Sequence, residues 1–308
     1  MNELFLDFNQ IEIFTSKFVY GFKRTSKGKI LNNKRENTSI KPKSVEHNKQ
    51  KKYILNQGEC ILPLIDLGIF TKDGKVVQSM YDKYRQINRF LEIINDKVKN
   101  EKKLNIIDFG CGKSYLTFIM YHYLVNVMHI DAHIIGLDLK EDVIKKCNET
   151  AKKYGYDNLH FELGDISLYK PKEKVDMIVT LHACDTATDY ALYHAIKLDC
   201  KYIFSVPCCQ HEINSKFSSN SYKPITEYGL LKERFSSLLT DAIRANILEI
   251  FGYKVDVLEF VDMDNSPKNI LLRAEFVNRF KKEKLKEVED LLINFNISQT
   301  LYDLMFKM

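Results

Sequence analysis

The chain has 308 residues, 45% of them hydrophobic, enough to bury one main core beside a smaller satellite region. Its net charge is +5, and no run of about 18 apolar residues occurs, which excludes a membrane-spanning helix. The opening MNELFLDFNQ carries acids and no basic leader, so no signal peptide is expected. Seven irregularly spaced cysteines read as reduced thiols of a cytoplasmic protein.

Residues 1–58 read as irregular, short strands or basic loops. From Lys23 to Lys52, eleven Lys or Arg face only Glu36 and Glu46. Such a field attracts a polyanion, and structured RNA is the expected partner. A solvated lysine-rich surface is the alternative. A membrane partner is not expected, because the cations lack an interleaved apolar helical stripe.

Residues 59–98 read as helical. In GKVVQSMYDKYRQINRFLEIINDKV, Ile87, Phe90, Leu91 and Ile94 fall three or four apart and define one apolar face. Lys83, Arg85 and Arg89 are assigned to the exposed side as phosphate contacts. Residues 1–100 are therefore expected to form a basic, nucleic-acid-binding region with a helical second half.

From residue 101 apolar strands alternate with helices. LNIIDF, AHIIGLDL, NLHFELGDI, KVDMIVTLHACD and KYIFSVPCC are successive strands. SYLTFIMYHYLVN, EDVIKKCNETAKKYG, TATDYALYHAIKLD and LLKERFSSLLTDAIRANILEIFG are helices. The pattern predicts an α/β sheet with parallel crossovers. YKVDVLEFVD and NILLRAEFV are separated only by MDNSPK, too short for a crossover helix, so they are expected to pair antiparallel. Residues 277–308 are expected to be a helical extension.

The first strand runs into DFGCGKSYLTF. A phosphate loop needs four residues between its first glycine and Gly-Lys-Ser/Thr, and here Gly110 and Gly112 are separated by one. A dinucleotide loop needs a third glycine where Tyr115 stands. Three acids end successive strands instead: Asp108, Asp138 and Asp165. Ligands of open α/β sheets lie at that rim. Carboxylates there suit a cationic cofactor with an amine and a ribose, as S-adenosylmethionine (SAM) is. Asp108 is expected near its amino-acid end, Asp138 on the ribose hydroxyls and Asp165 on the adenine amine. Gly110 and Gly112 admit close backbone approach. The alternative is that Asp138 and Asp165 merely cap the helices that follow.

DFGCGKSYLTF, LHACDTATDYAL, FSVPCCQHE and NSPKNILLRA, with HNKQKKYIL and DKYRQINRFLEII, resemble class I SAM-dependent methyltransferases. The likeness is nearest to the branch of methyltransferase-like 25 proteins and the glutathione S-transferase C-terminal-domain-containing protein. It covers about residues 104–276. It implies a Rossmann-like seven-stranded sheet of order 3-2-1-4-5-7-6 with an antiparallel last strand. Ser114 stands where the wider superfamily has a third glycine and is expected to cap the following helix.

The acceptor chemistry is expected after the fourth and fifth strands. Leu181 is expected against the cofactor. His182 and Asp185 would orient or deprotonate the acceptor, with Asp185 as plain helix cap the alternative and Asp189 one turn behind. Cys208, Cys209, Gln210 and His211 would overhang the crevice. Gln210 and His211 suit the polar edge of a flat base. A metal site from Cys184, Cys208, Cys209, His182 and His211 is disfavoured, because adjacent cysteines rarely share one tetrahedral ion. Covalent attack by Cys208 lacks an identifiable activating partner. Lys268 and Asn269 of the last turn are candidates for phosphate or base contact. The expected activity is direct methylation of a base or ribose in rRNA or tRNA, with no metal and no obligatory protein partner. A protein or small-molecule methyltransferase, or a non-catalytic RNA-binding module, is the alternative.

Overall fold

The basic amino-terminal segment folds as an antiparallel meander of three strands: β1 (Gln10–Phe14), β2 (Phe18–Arg24) and β3 (Ile30–Glu36). In the computed structural model, residues 8–15, 17–25, 28–37, 53–181, 183–217, 222–260 and 269–307 are described. The chain divides into two units, residues 1–52 and 53–308. The helical segment expected in the amino-terminal region thus belongs to the second unit.

That unit opens with α1 (Leu62–Asp66) and α2 (Tyr81–Val98). Tyr84, Ile87, Phe90, Leu91, Ile94 and Val98 of α2 are buried, which is the face predicted from their spacing. They join one core cluster with Ile106 and Phe204 of the central sheet.

The alternation then runs β4 (Lys103–Phe109), α3 (Tyr115–Tyr121), β5 (Asp131–Asp138), α4 (Glu141–Tyr154), β6 (Leu159–Leu163), β7 (Met177–Thr180), α5 (Thr186–Lys197) and β8 (Tyr202–Ser205). It continues through α6 (His211–Lys216), α7 (Lys223–Thr226), α8 (Gly229–Ile250), β9 (Tyr253–Glu259) and β10 (Ile270–Phe276). The seven strands β4–β10 form one sheet of order β6-β5-β4-β7-β8-β10-β9. The first five pair in parallel, and β10 runs antiparallel to both β8 and β9. The separate meander takes the first three strand numbers. Counted within the large sheet alone, the order is 3-2-1-4-5-7-6.

Alternate side chains of each central strand enter opposite cores. Ile106, Ile134 and Val179 pack on one face, and Ile107, Leu137 and Ile178 on the other. Burial on both faces is why these strands read as continuous apolar runs rather than as alternating ones. The second core also takes the carboxy-terminal helices α9 (Lys284–Phe295) and α10 (Thr300–Phe306), through Val288, Leu292, Phe295, Leu301 and Tyr302. The expected carboxy-terminal extension is helical over α9 and α10 but integral to the packing. The turn at residues 265–268, Lys268 included, lies outside the described residues. Asn269 is buried, and its amide donates to Glu259 at 3.3 Å. No helix of the described residues is long and apolar enough to cross a membrane.

Candidate active site

The carboxyl ends of β4, β5, β6 and β7 enclose a cleft of about 360 Å³, lined by Gly110, Asp138, Leu139, Gly164, Ala183 and Cys184 among others. Gly110, where the loop to Ser114 begins, forms part of its wall. Gly110 and Cys111 both donate backbone N–H bonds to the Leu137 carbonyl, at 2.8 and 3.1 Å. Gly110 has φ 68°, and a Cβ there would lie 3.1 Å from the Ala183 backbone. Only glycine satisfies both conditions.

Ser114 does not cap α3. It sits at φ 57°, in the left-handed region where the superfamily glycine would be at ease. Its hydroxyl donates backwards to the carbonyls of Gly112 (3.1 Å) and Cys111 (3.3 Å). It also accepts from the Cys147 thiol at 3.5 Å.

The three acids differ sharply. Asp108 is 1% exposed, and its Oδ2 accepts from the Thr117 hydroxyl at 2.5 Å. Its Oδ1 is buried without a hydrogen-bond partner. Burial pushes its carboxyl up to about 7; the Thr117 bond opposes this and the Asp138 charge adds to it. Asp138 braces the loop: Oδ2 accepts from Gly112 N at 2.9 Å and Oδ1 from Lys140 N at 3.0 Å. Asp165 is exposed and closes its own turn, with Oδ1 accepting from the Ser167 amide and hydroxyl at 2.8 and 2.7 Å. Those bonds, hydroxyl first, hold its carboxyl below the usual range. Backbone and apolar atoms at Gly164 and Ile166, rather than the Asp165 side chain, line that end of the cleft.

These features fit the cofactor that the sequence predicts. An unpartnered buried carboxylate oxygen lies beside the glycine loop. Asp138 has two carboxylate oxygens with lone pairs beyond the two backbone bonds they accept. Gly110 and Gly112, both at positive φ, carry no side chain where the backbone turns on either side of Cys111.

Beyond β7, Leu181 is buried and Cys184 is exposed, while His182 lies outside the described residues. Asp185 occupies the position before α5 but makes no side-chain cap to it. Its Oδ1 instead accepts from Glu212 N of α6 at 3.0 Å, joining the loops that follow β7 and β8. Its backbone is held at φ 53°, ψ −120°, a strained conformation for a side-chain-bearing residue.

Beyond β8, Pro207 is buried, Cys208 and Cys209 are half-buried, and His211 is exposed. Gln210 does not overhang the crevice. It is 5% exposed, and its amide donates to Asp241 Oδ2 at 3.2 Å. Inside a buried cluster, Arg244 of α8 donates two bonds of 2.8 Å to Asp189, one of 3.1 Å to Asp241 and one of 3.0 Å to the Asp185 carbonyl. Gln299, just before α10, donates to Asp189 at 2.5 Å. Burial opposes the Arg244 charge, but the two acids outweigh it and hold the proton; burial pushes Asp241 up to about 6. Glu212 accepts from the Thr300 amide and hydroxyl at 3.0 and 2.8 Å. Residues 59 to 110 positions downstream thus fix both rim loops.

Thr117, Asp241, Arg244 and Gln299 were not legible as site residues. Thr117 follows Asp108 by nine residues across a strand–helix turn, and the other three acquire roles only through long-range packing. The thiols offer no ready nucleophile. Burial, then Cys209 and Cys208, push Cys184 up to about 12, and burial also raises Cys208. Arg85 and Arg89 pair with Asp82 and Glu92 on their own helix, at 2.5 and 3.4 Å, and Lys83 lies over the Tyr115 ring at 4.6 Å.

The sheet order and the antiparallel β10 are those of the Rossmann-like fold of class I methyltransferases, with the glycine loop at its rim. Residues 82–216 match the model of a family described as a methyltransferase domain. The chain is 23% identical over 235 residues to the glutathione S-transferase C-terminal domain-containing protein of Homo sapiens, covering 68% of this chain and 36% of that protein. It is 24% identical over 174 residues to an uncharacterized RNA methyltransferase of Clostridium tetani, covering 56% and 33%. It therefore spans about a third of the length of these relatives. A solved SAM-dependent methyltransferase from Aquifex aeolicus superposes with a TM-score of 0.37 at 17% identity, over 61% of this chain and 89% of that one.

Proposed function

We propose that the protein transfers the methyl group of SAM directly to a base nitrogen or ribose oxygen of structured RNA, rRNA or tRNA. In this reading Asp108 and the loop at Gly110 and Gly112 hold the amino-acid end of SAM. Asp138 takes the ribose hydroxyls, and Leu181 with the Gly164 end of the cleft flanks the adenosine. SAM supplies an electrophilic methyl group when bound. Asp185 and His211, on the two rim loops, orient the acceptor and take its proton where it still carries one. His182 is assigned to the same task from its place in LHACD.

The observation that carries the RNA assignment is the face of the amino-terminal meander. Phe18, Tyr20 and Phe22 alternate along β2 and therefore share one face. Lys34, paired with Tyr20 in register, lies 3.8 Å from the Phe18 ring centroid and 5.7 Å from that of Tyr20. All of β3 is exposed. Among the described residues of this unit, Lys17, Lys23, Arg24, Lys29, Lys34 and Arg35 outnumber Glu12 and Glu36. Aromatic faces with interleaved cations suit stacked bases and a phosphate backbone. The name of the Clostridium tetani relative points the same way.

The decisive test is incubation with methyl-labelled SAM and total RNA from a strain lacking the gene, followed by nucleoside mass spectrometry. A single labelled nucleoside is expected. RNA affinity should also fall steeply with salt, and more shallowly after Lys34→Ala. Label in protein or metabolites with none in RNA refutes the assignment.

A further inference from the structure

The rim of the crevice carries sulfur that the methyl-transfer reading does not use. Cys184 follows β7 and Cys208–Cys209 follow β8, and these strands pair in parallel with Thr180 opposite Ser205. Parallel pairing brings both loops to the same end of the sheet. The three Sγ atoms lie within 4.8 Å of one another, with Cys184 and Cys208 only 3.5 Å apart.

We propose that Cys184, Cys208 and Cys209 bind one thiophilic divalent cation, with Zn²⁺ as the type, at the mouth of the crevice. A Zn–S distance of about 2.3 Å places sulfurs of a tetrahedral site about 3.8 Å apart. One separation is 3.5 Å and none exceeds 4.8 Å, so side-chain shifts of about 1 Å or less close the site. The sequence-level objection concerned adjacent cysteines. It holds in a strand, where neighbouring side chains point to opposite faces. Residues 206–210 belong to no strand or helix, and there Cys208 and Cys209 turn their sulfurs to one side. Three sulfurs leave the fourth position of the ion to solvent or to an acceptor atom, the pattern of zinc sites that take an exchangeable ligand. Cys184 itself lines the cleft, so that position adjoins the acceptor's approach. Binding requires the thiols to ionise, so it releases protons and weakens as pH falls.

The test is a titration of the reduced, chelator-treated full chain with Cd²⁺, followed by the thiolate-to-cadmium ultraviolet band, with Zn²⁺ as competitor. One equivalent should saturate the band, and Zn²⁺ should abolish it. Cys184→Ser, Cys208→Ser and Cys209→Ser should each weaken binding by roughly tenfold or more, since even outer-shell losses reach about that size. Cys60→Ser, at an exposed cysteine outside the cluster, should leave binding unchanged. Thermal melts verify that each variant folds. No band at one equivalent overturns the site, as does a band that survives Cys184→Ser. The readout requires no activity, so it stands or falls apart from the RNA assignment.

Discussion

Replacing Asp108 by Asn isolates the electrostatics of the cofactor crevice. Asp108 is buried, one oxygen is bonded to Thr117 and the other is unpartnered. Its carboxyl titrates near 7 in the fold, against 3.8 when free. The fold therefore favours the neutral acid. This contribution to stability is complete below about pH 4 and is lost as pH rises through about 7. Asn is a neutral near-isostere that does not titrate. Between pH 5 and pH 8 the wild type should lose about two pH units of linkage that the variant keeps, or roughly 3 kcal/mol. All other groups titrate in both proteins and cancel. Urea unfolding of the ligand-free proteins at the two pH values measures the gap. Asp108→Asn should gain on wild type by roughly 3 kcal/mol between pH 5 and pH 8, while binding SAM more weakly at both. A stability gap that does not change between pH 5 and pH 8 refutes the assignment of Asp108 as a buried acid of raised pKa.

Arg244→Met leaves Asp189 and Asp241 buried without their cation, and should lower unfolding free energy by roughly 3–5 kcal/mol in urea titrations. A loss below about 1 kcal/mol would show that the cluster does not hold the rim loops. Ser114→Gly relieves a left-handed conformation worth about 1–2 kcal/mol and removes hydroxyl bonds worth about 1 kcal/mol. Its melting temperature should therefore hold or rise slightly, with SAM affinity retained by calorimetry. A marked fall in either would assign the hydroxyl a larger role than its geometry indicates.

Local signals carried the sheet and its cofactor rim. Apolar runs, helical spacing and the short MDNSPK link depend on neighbours a few residues away, so the strand succession and the antiparallel end were legible. The spacing of Gly110 and Gly112 and the acids at strand ends were legible for the same reason. Which of those acids faces inward was not. Asp108 and Asp165 both read as strand ends, yet Asp108 is sealed beside Thr117 within β4, and Asp165, two residues past β6, turns back on Ser167 in solvent. Side-chain direction at a strand end depends on what packs over it. Gln210 reads in sequence as a polar hand over the crevice. In the fold, Arg244 and Asp241 draw it inward, because a buried guanidinium must be matched by acceptors wherever the chain brings them. The sulfur cluster was named from the sequence but disfavoured; Cys184 and Cys208 are 24 residues apart, and parallel pairing of β7 with β8 sets them side by side. Local pattern sufficed for the elements and for the strand-end rim where a cofactor is expected. Which polar groups are buried and which sulfurs meet follow from packing, because burial and long-range contact exist only in the folded chain.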